Sequence, residues 1–242
     1  PKHLDIYQIY PLIPDTKVDP QHVKERSSQQ ILKCLYVSSE FELKGGREII
    51  ACFQKLESAL IDDIELTIIT RLDSLHNELR DAILALPNVH LVDFNLTYEE
   101  LSELYGKSNI LLHPTRQDSF AMVVLEAMKY GNAVLSTDLY AIPEMVIDGL
   151  NGYLVSPKFR FFSRDNLPNP AVWNHRRKTI YANYIDENVV DFLFEKLLYL
   201  LSERQALEAM QLMSLKRTSN GGVFSEKCIV SKWSDVFYRL DT

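Results

Sequence analysis

The fold of this chain is most readable in residues 109–155, NILLHPTRQDSFAMVVLEAMKYGNAVLSTDLYAIPEMVIDGLNGYLV. Three short apolar runs lie here, NILLH (109–113), NAVLS (132–136) and GYLV (152–155), and residues 121–130 between the first two have apolar positions at helical spacing. Short, almost continuously apolar strands that alternate with helices are typical of βαβ units. The segment therefore predicts part of a parallel sheet.

The same alternation extends upstream to residue 31. The pattern predicts strands at ILKCLYV (31–37), IELTIIT (64–70) and NVHLVDF (88–94), and helices at 48–60, 74–86 and 98–105. Because such strands are apolar on both sides, helices must cover both faces of the sheet. We expect an α/β fold, a Rossmann-like parallel sheet joined by right-handed crossovers.

The chain divides into four predicted segments. Residues 1–28 carry three prolines and no clear periodicity, which predicts an extended linker, and residues 29–157 contain the Rossmann-like core. Residues 158–186 interrupt the alternation with cations and aromatic residues and predict an insertion loop. Residues 187–242 show three helical blocks, broken at Ser202 and at 220–222, which predict C-terminal helices packed on the core.

Composition narrows the class of protein. The net charge of −7 argues against a general nucleic-acid-binding protein, and one loop of cations and aromatics is weak support for such a role. The three cysteines form no C-x-x-C pair, which fits a reducing compartment. Since no apolar run is long enough to cross a bilayer and no signal pattern opens the chain, we expect a cytoplasmic location.

A glycine pair follows the first predicted strand. Gly45 and Gly46 come directly after Lys44, where a strand gives way to a helix. Ligands of open parallel sheets bind at the carboxyl ends of the strands, and glycines next to a helix N-terminus suit a bound anion. A lysine there suits phosphate. An ordinary strand-to-helix turn with a solvated lysine explains the same residues.

Two carboxylates flank the start of the helix predicted over 121–130. Asp118 precedes the helix, where it suits either a ligand contact or an N-cap. Glu126 lies among apolar residues, where an unpaired carboxylate is costly, so we expect it to have a partner, and a ligand hydroxyl is one candidate. His113 ends the preceding strand, and a structural role is expected for it.

These motifs resemble those of a known family. The string P-T-R-Q-D-S-F-A-M-V-V-L-E-A-M-K-Y-G resembles the E-x7-E element of retaining GT-B-fold glycosyltransferases, and STDLYAIPEMVIDGLNGYLV is similar, almost position for position, to the string that follows it in that family. The stretch NVHLVDFNLTYEELSELY resembles a third family string. The resemblance implies that this chain is the C-terminal, nucleotide-sugar-binding half of a GT-B architecture.

The resemblance also implies roles for individual residues. Asp118, as the first acidic residue, would be catalytic and contact the donor sugar, and Glu126 would hold the ribose hydroxyls. Lys44, with Gly45 and Gly46, would bind the diphosphate. Two further groups of residues would complete the donor site: the main chain of Phe94 and Asn95 at the base, and Ser119, Phe120, Ala121 and Met122 at the sugar or distal phosphate.

Three departures from the family pattern affect these roles. The first acidic residue is aspartate, one methylene shorter than glutamate, and Ser119 and Ala121 replace two glycines. The arginine that often accompanies the family's lysine is absent from residues 38–40. Arg47 and Arg71 are the candidates to replace it.

The family mechanism implies what else takes part. A nucleoside-diphosphate sugar is the donor substrate, and no cofactor and no metal are expected, because cationic side chains and helix N-termini stabilise the leaving diphosphate. The sequence carries no H-E-x-x-H, D-x-D or Cys/His cluster. The acceptor site is expected in a missing N-terminal domain, which is also the expected place of any peripheral membrane contact, and the isolated half is expected to transfer no sugar.

Two other functions stay open at this point. One is a degenerate, non-catalytic module that binds nucleotide sugars or serves assembly, and the other is a nucleotide-sugar epimerase or hydrolase on the same fold. A nicotinamide-dependent enzyme is disfavoured, since no G-x-G-x-x-G follows a predicted strand.

Overall fold

A computed structural model describes residues 6–163, 165, 167–219 and 221–240. Six parallel strands form one sheet in the order β3-β2-β1-β4-β5-β6. Their bounds are β1 Leu32–Val37, β2 Ile64–Thr70, β3 Val89–Asp93, β4 Ile110–His113, β5 Ala133–Thr137 and β6 Gly152–Val155. The predicted Rossmann-like α/β fold is confirmed.

Ten α-helices surround the sheet in the described part of the chain. They are α1 Pro20–Ser27, α2 Gly46–Ser58, α3 Asn77–Leu84, α4 Tyr98–Lys107, α5 Met122–Lys129, α6 Ile142–Met145, α7 Pro170–Trp173, α8 Glu187–Ser202, α9 Arg204–Thr218 and α10 Glu226–Leu240. The breaks predicted at Ser202 and 220–222 separate the last three, although Asn220 itself lies outside the described residues.

Side-chain alternation along β1 shows why both faces are covered. Leu32, Cys34 and Tyr36 belong to one apolar layer, and Leu35 and Val37 belong to the other, since successive strand residues point to opposite faces. α2, α3 and α8 supply residues to the first layer, and α5 and α6 supply residues to the second. The sheet is therefore buried on both sides, as a parallel sheet requires.

The N-terminal segment differs from its prediction. Residues 20–27 of the expected extended linker form α1, which begins at Pro20 after the N-cap Asp19. The guanidinium of Arg26 is buried and donates to the carbonyls of Tyr105, Gly106, Tyr130 and Gly131 at the ends of α4 and α5. Packing on the domain thus stabilises a helix whose own apolar pattern is too weak to predict it.

The described residues of 158–186 form an insertion beyond β6, with no further βα unit among them. It holds the four-residue α7 and a 3₁₀ turn at Arg176–Lys178. Phe161, Val172 and Ile180 form a small apolar cluster of their own, which we call the insertion core, and it packs against Leu43 and Tyr140. Arg164, one of the predicted loop cations, lies outside the described residues.

Candidate functional site at the carboxyl edge of the sheet

The order of the strands places a crevice between β1 and β4. Successive strands are added in one direction from β1 to β3 and in the other from β4 to β6, and ligands of doubly wound sheets bind at this reversal. The loop after β1 carries Lys44, and the loop after β4 carries Asp118. The two predicted site residues therefore meet across the reversal point.

The ammonium of Lys44 is held between two groups of the second loop. Its Nζ lies 2.8 Å from Asp118 Oδ2 and donates to the carbonyl of Gln117 at 2.6 Å. Both charged side chains are mostly buried, with 17% and 12% of their surfaces exposed. Since an ammonium has three N–H bonds, one donor of Lys44 is left for a ligand.

Asp118 accepts hydrogen bonds on both carboxylate oxygens. Oδ2 receives Lys44 and lies 3.1 Å from Nε2 of His113, while Oδ1 accepts from the main-chain N–H groups of Ser119 at 2.8 Å and Ala121 at 2.9 Å. Four donors fill the acceptor positions of a carboxylate. Direct contact between Asp118 and a donor sugar stays a prediction, and it requires release of one of these bonds.

The charges of this cluster follow from its burial. Burial lowers the pKa of His113, so its imidazole is neutral at pH 7 and its Nε2–H donates to Asp118. Burial acts to raise the pKa of Asp118, but the hydrogen bond from the neutral His113 and the hydrogen bond and charge of Lys44 outweigh it and hold that pKa well below its usual range. At neutral pH the cluster is a Lys44 cation beside an Asp118 anion.

The N-terminus of α5 presents free main-chain donors. Ala121 precedes the helix with φ of 61°, the left-handed conformation for which the family pattern carries glycine. Within the described part of the chain, the N–H groups of Phe120, Met122 and Val123 have no protein acceptor. Such donors at the positive end of a helix suit an anionic ligand group.

Glu126 lies one turn further along α5 and has a protein partner. Its Oε2 accepts from the hydroxyl of the buried Tyr105 at 3.0 Å, the one hydrogen bond of this carboxylate to the described residues. Burial raises the pKa of Glu126, and the bond from Tyr105 only partly offsets that rise. The carboxylate keeps open acceptor positions in a partly dehydrated place.

Phe94 and Asn95 lie apart from Lys44, beyond the ends of β2 and β3. They line a cavity of about 600 Å³ together with Arg71, Leu72, Asp73 and Asp93. Of the two candidates for the missing arginine, Arg47 is engaged with Glu42 at 2.7 Å, whereas Arg71 lines this cavity. Arg71 thus lies at the predicted base cavity, and its replacement of the family's arginine at the diphosphate stays a prediction.

Packing accounts for both predicted glycines. Gly45 has φ of 79°, and an added Cβ would lie 2.0 Å from the carbonyl oxygen of Pro114, while a Cβ on Gly46 would meet the ring of Phe41 at 2.5 Å. Their N–H groups donate to the carbonyls of Glu42 and Phe41. The pair thus brings the Lys44 loop close to the loop after β4, and neither N–H is free for a phosphate.

A buried ion pair fixes the insertion beneath the site. Arg116 Nη2 lies 2.6 Å from Oε1 of Glu48 on α2, and the guanidinium also donates to the carbonyls of Ala182 and Tyr184. Glu48 Oε1 accepts in addition from the main-chain N–H of Asp186. The pair therefore joins α2, the loop after β4 and the end of the insertion.

Sequence reasoning did not assign ligand-site roles to three of these residues. Tyr105 and Arg116 carried no local signal, because their partners Glu126 and Glu48 lie 21 and 68 residues away. His113 was expected to be structural, and the structure adds that it positions Asp118. The sequence did contain an indication of this role, since His113 is a polar residue at the carboxyl end of an apolar strand, which is the edge of a parallel sheet where ligands bind.

These features define a doubly wound α/β domain with a candidate anion site at its strand reversal. The family model of glycosyl transferases group 1 matches residues 18–160. Since this is more than half of the chain, the chain belongs to that family. No helix of the described residues is both long and apolar enough to cross a membrane.

Three similar proteins show the extent of the match. N-acetyl-alpha-D-glucosaminyl L-malate synthase of Bacillus anthracis is 22% identical over 204 residues, which are 77% of this chain and 51% of that protein. The C-terminal domain of the group 1 glycosyl transferase LpcC from Francisella tularensis has a TM-score of 0.58 at 18% identity, covering 84% of this chain and 91% of that one. Anabaena Alr3699/HepE, in complex with UDP-glucose, has a TM-score of 0.64 at 15% identity, and the match covers 96% of this chain and 56% of that one. The chain thus spans about half the length of this synthase and of HepE.

Proposed function

We propose that this chain is the donor-binding half of a retaining glycosyltransferase and binds a nucleoside-diphosphate sugar between the Lys44 loop and α5. The observation that carries the proposal is that Asp118 joins Lys44, through Oδ2, to the start of α5, through Oδ1, across the strand reversal. A solved structure of the same fold, HepE, holds UDP-glucose, which supports this class of ligand.

The diphosphate is assigned to this cradle for electrostatic reasons. The third N–H of Lys44 and the N–H groups of Phe120 and Met122 are donors that a phosphate can accept from without disturbing Asp118. Preorganised donors aimed at the departing diphosphate stabilise the charge that develops on it. Transfer with retained configuration and without a metal is part of this proposal.

The nucleoside is assigned to the neighbouring residues. Glu126 lies four residues after Met122, about 6 Å along the helix axis, and its open acceptor positions suit ribose hydroxyls. The cavity beside Phe94 and Asn95 is large enough for a base, and Arg71 adds a cation at its wall. The acceptor, the residues around it and a cytoplasmic location belong to the proposal for the whole protein.

Calorimetric titration with UDP, GDP, ADP and UDP-glucose, in buffer containing EDTA, tests donor binding. Binding of one nucleotide with its sugar conjugate supports the proposal, and loss of that binding in EDTA refutes the metal-free part. If nothing binds to this chain or to the chain joined to an N-terminal domain, the degenerate module is the better explanation. A product assay with and without acceptor separates a transferase from an epimerase or hydrolase.

Replacement of Asp118 by asparagine tests what this residue does. We expect UDP and UDP-glucose to lose affinity by the same factor, about tenfold, because the loss acts through the placement of Lys44. Titration of both ligands against both proteins measures it. A loss confined to UDP-glucose would instead show a direct contact with the sugar.

Replacement of Glu126 by glutamine separates binding from stability. We expect UDP to bind about tenfold more weakly, because a neutral amide is a poorer acceptor for ribose hydroxyls. The pKa of Glu126 is raised in the folded chain, so its ionised form opposes folding, and the variant should melt higher than wild type at pH 7. The difference in melting temperature between the variant and wild type shrinks as the pH falls through the raised pKa of Glu126 toward 4.5, the ordinary pKa of a glutamate in the unfolded chain. Unchanged UDP affinity would remove Glu126 from the site.

A further inference from the structure

The insertion after β6 is fixed at its base. Its two ends are joined by a bond from the N–H of Lys158 to Asp186 Oδ2 at 2.6 Å, and Arg116 holds the carbonyls of Ala182 and Tyr184. The hydroxyl of Tyr181 donates to Gln117 Oε1 at 2.7 Å, beside the loop that binds Lys44. The described part of the insertion is therefore attached to the carboxyl edge of the sheet.

Its outer end concentrates positive charge. Residues 167–185 contain no aspartate or glutamate, whereas Arg176, Arg177 and Lys178 are consecutive and exposed. We call these three cations, together with Trp173, the basic tip. None of the three pairs with a carboxylate of the described residues, and Arg176 lies 5.2 Å from the ring of Trp173. The chain as a whole has a net charge of −7, so the basic tip is a local concentration of positive charge that the described carboxylates do not neutralise by direct pairing.

Apolar side chains surround the basic tip. Trp173 is 40% exposed and contacts Phe162, which is 37% exposed, with 5.8 Å between the ring centroids. Leu167, 61% exposed, is hydrogen-bonded to Ser163 next to Phe162, and Tyr181, 51% exposed, donates its N–H to the carbonyl of Arg176. Trp173 and Tyr181 also contact Phe161 of the insertion core, with 5.3 and 6.4 Å between ring centroids, so each ring packs on the core with one part and exposes the rest.

We propose that this surface docks the protein on an anionic lipid bilayer. Exposed tryptophan, tyrosine and aliphatic side chains beside clustered arginine and lysine match the headgroup region, where aromatic rings settle at the interface and cations meet anionic lipids. RNA fits less well, because exposed leucine offers a base no stacking surface, whereas the interface of a bilayer accepts aliphatic side chains.

Vesicle binding of the full chain tests the proposal. Wild type is expected to co-sediment with vesicles of phosphatidylcholine mixed with phosphatidylglycerol, and not with phosphatidylcholine alone. The variant Arg176→Gln/Arg177→Gln/Lys178→Gln is expected to have a partition coefficient about a hundredfold lower. A matched control, Lys24→Gln/Arg80→Gln/Lys107→Gln, removes three exposed cations from other faces and is expected to bind within about twofold of wild type.

Fluorescence locates the contact. The chain has two tryptophans, so Trp233→Phe leaves Trp173 as the reporter, and its emission is expected to shift to the blue and to be quenched by brominated lipid. Equal losses in the two triple variants, an unmoved Trp173 spectrum, or binding to single-stranded RNA but not to vesicles would overturn the proposal. Titration of each variant with UDP separates vesicle binding from donor binding. Because the donor site does not include the basic tip, we expect UDP to bind the variants as it binds wild type.

Discussion

Replacing Arg116 with alanine is expected to lower the free energy of unfolding by about 3–5 kcal/mol, because it leaves Glu48 charged and buried without its cation. Both side chains are almost completely buried, at 5% and 1% exposure, and their oxygen and nitrogen lie 2.6 Å apart. The substitution also leaves the carbonyls of Ala182 and Tyr184 without their donor. Urea unfolding of the two proteins measures the difference.

Two variants control this result. Arg80 is exposed on α3, and its replacement by alanine is expected to change stability by less than about 0.5 kcal/mol. The double replacement Arg116→Met/Glu48→Leu removes both charges and is expected to recover much of the loss. If Arg116→Ala costs no more than Arg80→Ala, the ion pair does not hold the insertion on the core.

Replacing Lys44 with alanine is expected to weaken UDP binding by about ten- to a hundredfold, the usual effect of losing a hydrogen bond to a charged group. The effect has two parts, the lost donor to the diphosphate and the unbalanced charge of Asp118, which stays beside the crevice and repels phosphate. Uridine, which has no phosphate, should bind both proteins equally. Calorimetry with UDP and uridine separates the two ligands.

Lys55 provides the matched control for Lys44. It is an exposed cation on α2 that pairs with Asp191 at 2.7 Å, so Lys55→Ala changes the net charge equally without touching the crevice. We expect UDP to bind this variant as it binds wild type. Equal losses in the two variants would mean that only the overall charge of the chain matters and that Lys44 is not a phosphate ligand.

The sheet and most helices were predictable because their signals are local. Each strand of the core is a short apolar run bounded by polar residues, and the helices show their buried face at regular spacing. The positions of Lys44 and Asp118 at the ligand edge followed from the same pattern, since both lie in the loops that follow strands. α1 escaped prediction because its stability depends on Arg26 meeting the ends of α4 and α5.

What each polar residue of the site does was decided by the tertiary structure. Asp118 suited either a ligand contact or an N-cap, and its carboxylate accepts hydrogen bonds from Lys44, His113 and two main-chain N–H groups, while Glu126 has Tyr105 as a partner. Arg116, to which the sequence pattern assigned no role, lies in a buried ion pair. Local periodicity selects strands and helices one segment at a time, but a buried charge must find its partner wherever the folded chain brings one within hydrogen-bond distance.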